Sequence, residues 1–177
     1  MRILYFDIDG TLVTPASNQA KAALAEGACE QAVRRAGFTS LVCVGSAVSI
    51  AHFLDQSHSQ GHSQGNSQGQ SQGKLQRKSP NDGAGLIYDL CGGAFQDEAW
   101  FRSVLRLVPE PEHRGLAIQL QADWYYLDDL ARYYLEKDGL GEVFTRYQGS
   151  RILAPAPEGD GRDVMTWLAD ISEIGIP

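Results

Sequence analysis

Arg2-Ile3-Leu4-Tyr5-Phe6-Asp7-Ile8-Asp9-Gly10-Thr11-Leu12-Val13-Thr14 opens the chain and decides its architecture. The apolar run Ile3 to Phe6, bounded by polar residues, has the pattern of a parallel strand buried on both faces. It stops at an acid. Asp7 and Asp9 lie two residues apart, and Gly10 permits a sharp turn after them, so both carboxylates are delivered to the carboxyl end of that strand. In open α/β sheets ligands bind at that edge. Two carboxylates so placed can hold a hard divalent cation, with Mg²⁺ the best match, or divide nucleophilic and acid/base work. The alternative is that Asp7 caps a turn and Asp9 is merely solvated.

Downstream, the pattern builds a repeating unit. Ala20, Leu24, Ala28 and Ala32 recur at helical spacing between Gln19 and Arg35, Gly37 ends that segment, and Phe38 to Val44 reads as a second strand closing at Gly45-Ser46. Strand, helix and strand at this spacing imply a parallel sheet. Ser46 therefore falls at the same edge as Asp7. A short helix is expected over Val48 to Leu54. Gly85 to Leu90 is the third strand candidate, and Asp97 starts a helix whose stripe is Trp100, Phe101, Val104, Leu105 and Val108.

The stretch Asp123-Trp124-Tyr125-Tyr126-Leu127-Asp128-Asp129 repeats the logic of the opening, an aromatic, strand-prone run ending in carboxylates. Neighbouring side chains on a strand point to opposite faces, so at most one of the two acids follows the inward direction unless the backbone turns between them. Either can also cap the helix Leu130 to Glu136. Arg151 to Ala154 gives the last strand, Pro155 to Gly161 a loop containing the acidic Glu158-Gly159-Asp160-Gly161, and Arg162 to about Ile171 a closing helix.

Between these segments lies a different composition. His58 to Gly73 consists of four tandem tetrapeptides ending in Ser-Gln-Gly, followed by the basic residues Lys74, Arg77 and Lys78. Such a segment cannot bury apolar surface, so a flexible surface insertion at about 56–83 is expected, with one domain over 1–177 around it. His58 and His62 are four apart, but the glycine content opposes the helix that would pair them on a metal.

The 177 residues are 43% hydrophobic and carry a formal net charge of −7. That suffices for one domain with a full core. The acidic balance argues against a nucleic-acid partner, which calls for a basic face. Cys29, Cys43 and Cys91 are widely spaced and odd in number, which suits buried reduced thiols. Without a leader pattern or an apolar stretch long enough for a bilayer, a cytoplasmic protein with no membrane partner is expected.

Asp7-Ile8-Asp9-Gly10-Thr11-Leu12-Val13 after an apolar strand resembles the first motif of the haloacid dehalogenase (HAD) superfamily, most of whose members are phosphatases. The resemblance implies a doubly wound, Rossmann-like parallel sheet with a minimal cap or none, because the short distance from Asp7 to Ser46 leaves no room for a helical one. It implies Mg²⁺-dependent phosphohydrolysis through an aspartyl-phosphate on Asp7. Asp9 would be the general acid/base and lend its backbone carbonyl to Mg²⁺, and Thr11 would position the phosphate-binding loop. Ser46 looks like the second-motif hydrogen-bond donor to the phosphoryl oxygens. Asp128, and after it Asp129, looks like the fourth-motif metal ligand. The third motif, a Lys or Arg, departs from an easy match: Arg102, Arg106 and Arg114 are available, with Arg114 preferred as catalytic and phosphate-binding cation. The substrate would be a small or bulky phosphorylated molecule. The alternatives are a HAD-like binding or scaffold protein with little turnover and a phosphotransferase.

Overall fold

The computed structural model describes residues 1–13, 27–60, 82–107, 123–154, 166–167 and 169–170. These form a five-stranded, all-parallel sheet: β1 (Arg2–Phe6), β2 (Ser40–Cys43), β3 (Leu105–Leu107), β4 (Asp123–Leu127) and β5 (Ile152–Leu153), in the order β3-β2-β1-β4-β5. The first strand is therefore central. It pairs with β2 from Ile3↔Ser40 to Phe6↔Cys43 and with β4 from Arg2↔Asp123 to Phe6↔Leu127. The order runs outward from β1 in both directions, so the topological switch point, where α/β sheets open a crevice, lies between β1 and β4.

Alternation along the strands divides the core into two layers. Leu4, Phe6, Leu41, Cys43, Tyr125 and Leu127 face one way, packing against α1 (Ala28–Arg35), α2 (Ser46–Gln60), α3 (Gly83–Leu90) and α4 (Glu98–Val104) through Val33, Val48, Ile87 and Phe101. Ile3, Tyr5, Val42, Tyr126 and Ile152 face the other way, against α5 (Ala131–Lys137) and α6 (Gly141–Tyr147) through Leu135 and Phe144. The sheet is thus covered on both faces, which is why its strands are apolar on both sides. All three cysteines are buried and unbridged, and burial, with Glu30 adding to it, pushes the Cys29 thiol up to about 12.

Two expected elements exchange places. Gly85 to Leu90 is not a strand but most of α3. The Asp82 carboxylate caps it by accepting the Gly85 N–H at 2.7 Å, and the helix lies so close to α2 that a Cβ on Gly83 would stand 2.6 Å from the Ala51 carbonyl oxygen. The third strand is instead Leu105–Leu107, cut from the end of the expected helix. The backbone turns extended at Leu105 (φ −70°, ψ 135°), and Leu105 is buried while Arg106 is exposed, which is strand alternation. The helix after β2 is longer than Val48 to Leu54, running from Ser46 to Gln60, and α6 is a further element.

Of the expected helix Gln19 to Arg35, the described part is α1. The start of that helix, the repeat beyond Gln60, the basic run Lys74 to Lys78, the loop Pro155 to Gly161 and most of the closing helix lie outside the described residues. Trp167, within the expected closing helix, is 2% exposed and joins the first core layer. No helix among the described residues is long and apolar enough to cross a membrane.

Candidate active site

At the carboxyl edge of the sheet the backbone pairing continues one residue past β1, onto β4, and one residue past β4, onto β5. The Asp7 N–H donates to the Leu127 carbonyl at 2.9 Å and the Asp128 N–H to the Leu153 carbonyl at 3.2 Å, which seats Asp7 beside Asp128 at the switch point. The backbone then turns. Asp129, the next residue along, is carried back toward the same place, and carboxylate oxygens of Asp7, Asp128 and Asp129 all lie within 4.8 Å of one another. The turn between Asp128 and Asp129 is what allows neighbouring residues to converge. Asp7 is 8% exposed and Asp128 fully buried.

Three carboxylates gathered in a partly buried place repel one another, and each needs compensation. For Asp128 the Tyr126 hydroxyl donates to Oδ2 at 2.6 Å and the Leu130 N–H to Oδ1 at 2.8 Å. Asp129 is fixed by Thr11, whose Oγ1 donates to Asp129 Oδ1 at 3.2 Å and accepts the Asp129 N–H at 3.0 Å. Gly10 completes this arrangement. Its φ of +83° is one L side chains rarely adopt, and a Cβ there would stand 2.5 Å from Asp129 Oδ2. Thr11 is 2% exposed, so the structure places it as a tie between the two loops.

A cavity of about 200 Å³ opens beside the acids, lined by Asp7, Ile8, Asp9, Ser46, Ala47, Leu130 and Tyr134. Asp9 is exposed within that lining and is not one of the three clustered carboxylates. Ser46 begins α2 and lines the cavity together with Ala47, so the amino-terminal end of the helix stands at it. Thus Asp7, Asp9 and Ser46 share one cavity, with Asp128 and Asp129 gathered around Asp7.

The cations are placed differently. Arg102 is spent on Asp82 and Glu98, at 2.7 and 2.8 Å, and Arg106 is exposed on edge strand β3. Arg114 lies outside the described residues, and no Lys or Arg belongs to the cavity lining among those described. Sequence reasoning missed Tyr126, Leu130 and Tyr134. Tyr126 was within reach, since Tyr-x-Asp puts hydroxyl and carboxylate on one strand face.

The sequence matches no family model, and neither the curated proteins nor the solved structures contain a match to it. The described residues form a parallel α/β sheet with an acidic cavity at its switch point.

Proposed function

We propose that this protein is a Mg²⁺-dependent phosphohydrolase with a HAD-like, doubly wound core and at most a minimal cap. The observation that carries the reading is the convergence of Asp7, Asp128 and Asp129, within 4.8 Å, beside a cavity that Asp9 and Ser46 also line. The donor set fits the cation: three carboxylates supply hard oxygen ligands, and their mutual repulsion favours a small divalent ion over none. Held by these residues, Mg²⁺ would screen the negative charge shared by nucleophile and phosphoryl group.

The residues then divide the work. An Asp7 carboxylate oxygen attacks phosphorus in line, forming an aspartyl-phosphate as the bond to the leaving oxygen breaks, and Asp9 gives its proton to that oxygen. Asp9, now a carboxylate, takes a proton from water, whose oxygen attacks the same phosphorus, releasing phosphate and restoring Asp7. Ser46 and the start of α2 supply donors to the phosphoryl oxygens, with Arg114 assigned as the clamping cation. At about 200 Å³ the cavity is smaller than the roughly 300–1,000 Å³ of ordinary small-molecule pockets. It takes the phosphoryl end of a substrate and leaves the remainder outside, which suits bulky phosphorylated molecules.

The test is Mg²⁺-dependent release of phosphate from a general aryl phosphate and a panel of phosphate esters. Asp7→Asn is expected to abolish turnover while leaving the fold intact. An Asp7→Asn protein as fast as wild type overturns the reading. The second reading, a metal-binding protein with little turnover, draws on the lack of a cation in the described lining. Mg²⁺-dependent binding of a phosphate analogue with no phosphate release from any ester would favour it.

A further inference from the structure

The central strands carry the same short pattern side by side. Tyr5-Phe6-Asp7 on β1 and Tyr126-Leu127-Asp128 on β4 pair in register as Tyr5↔Tyr126 and Phe6↔Leu127, so both tyrosines face the α5–α6 layer and both precede a clustered acid by two residues. Their hydroxyls differ. Tyr126, fully buried, donates to Asp128 Oδ2 at 2.6 Å. Tyr5, 1% exposed, finds no hydrogen-bond partner for its hydroxyl among the described residues.

We infer that Tyr126 is a positioning residue for the metal site, holding the Asp128 carboxylate in the one orientation that serves the three-acid cluster. The inference rests on the metal-binding reading above and adds to it a residue that does not touch the ion. Asp128 is fully buried, so water cannot orient it. Its two oxygens are fixed from different directions, Oδ1 by the Leu130 N–H and Oδ2 by the phenol. Two such bonds, one to each oxygen, constrain the plane and rotation of the carboxylate. Each carboxylate oxygen keeps further lone-pair capacity, so the bond to Tyr126 does not compete with an ion for Asp128. A hydroxyl donor also disperses negative charge where three carboxylates meet, which lowers the cost of assembling the cluster before an ion arrives.

Tyr5 supplies an internal control: the same residue type, burial and face, without the bond. Mg²⁺ titration by calorimetry on the full chain, with no substrate, compares wild type, Tyr126→Phe and Tyr5→Phe. Removing an outer partner of a ligand weakens metal affinity by about 10–100-fold, so Tyr126→Phe should bind Mg²⁺ at least about tenfold more weakly and Tyr5→Phe as wild type does. Replacing Tyr126 by 4-aminophenylalanine keeps the ring and a donor. It should bind Mg²⁺ as wild type does, and it carries the test if Tyr126→Phe fails to fold. A Tyr126→Phe protein with wild-type affinity, an equal loss in Tyr5→Phe, or a 4-aminophenylalanine protein that is folded but weak would overturn the inference while leaving the metal site standing. A wild-type protein that takes up no Mg²⁺ overturns both.

Discussion

Thr11 and Asp129 hold each other by a reciprocal pair of hydrogen bonds: one hydroxyl donates to the carboxylate at 3.2 Å and accepts the same residue's N–H at 3.0 Å. They belong to the loops after β1 and β4, so this contact locks the two halves of the acidic cluster in register. Thr11→Val keeps the shape and deletes both bonds, leaving a backbone N–H without its partner. The expected outcome is a loss of about 1–3 kcal/mol in urea denaturation, together with weaker Mg²⁺ uptake by calorimetry. Unchanged stability would show that the tie is idle.

Gly10 is constrained twice, by its left-handed φ and by the carboxylate pressed against it. Gly10→Ala should cost about 1–3 kcal/mol from backbone strain and displace Asp129 as well. The double effect separates this position from Gly139, whose φ is +76° but where an added Cβ meets nothing within 4 Å. Gly139→Ala is expected to lose stability without losing metal affinity, measured on the same two instruments.

Asp123 lies at the opposite, amino-terminal end of β4, between Arg2 at 2.7 Å and Arg151 at 2.9 Å. Burial acts to raise its pKa, and the hydrogen bonds and charges of the two arginines together outweigh it, so the carboxyl sits below its ordinary value. A depressed folded pKa stabilises the fold fully above the unfolded value near 4, and that contribution is lost as pH falls through the folded value. Melting curves should therefore show Asp123→Asn less stable than wild type at neutral pH, with the gap closing in strong acid. A constant gap at every pH would contradict this.

The elements flanking the Ser-Gln-Gly repeat touch. The Gly83 N–H donates to Asp55 Oδ1 at 2.6 Å, so α2 and α3 meet across residues 61–81. From Asp55 to the end of α2 at Gln60 is only about 8 Å of helix rise, and loop-closure cost changes slowly with length. Replacing residues 61–81 by a Gly/Ser linker of roughly six residues, a span a flexible chain covers easily, should leave melting temperature and Mg²⁺ affinity unchanged. A folded protein that lost its Mg²⁺ affinity would assign the repeat a role at the site.

The acids at the strand ends were legible because a buried parallel strand must be apolar, so a carboxylate that stops it marks its end; Asp7 and Asp128 were placed by that reasoning, and Ser46 joined them through the parallel order of the first two strands. The third strand was not. Leu105-Arg106-Leu107 is too short for alternation to stand out from the helical stripe of Trp100, Phe101 and Val104, and only the open side of β2 turns it into a strand. Gly85 to Leu90 erred in the other direction, since a short apolar run carries no period of its own. Its helical state depends on the Asp82 cap and on contact with α2. Thr11 to Asp129 was beyond reach, because residues far apart in sequence meet only after the sheet order is known.

The crowding of three carboxylates at one sheet edge sets the proposed metal binding against stability. Without a cation the three like charges repel one another, an electrostatic load that the rest of the core must outweigh. Neutralising one of them, as in Asp7→Asn, is expected to raise the melting temperature of the cation-free protein above that of wild type. Excess Mg²⁺ should reverse the ranking, since an ion that binds only the folded form adds its own binding free energy to the fold. A crossing of the two melting temperatures along a Mg²⁺ titration would register that trade directly.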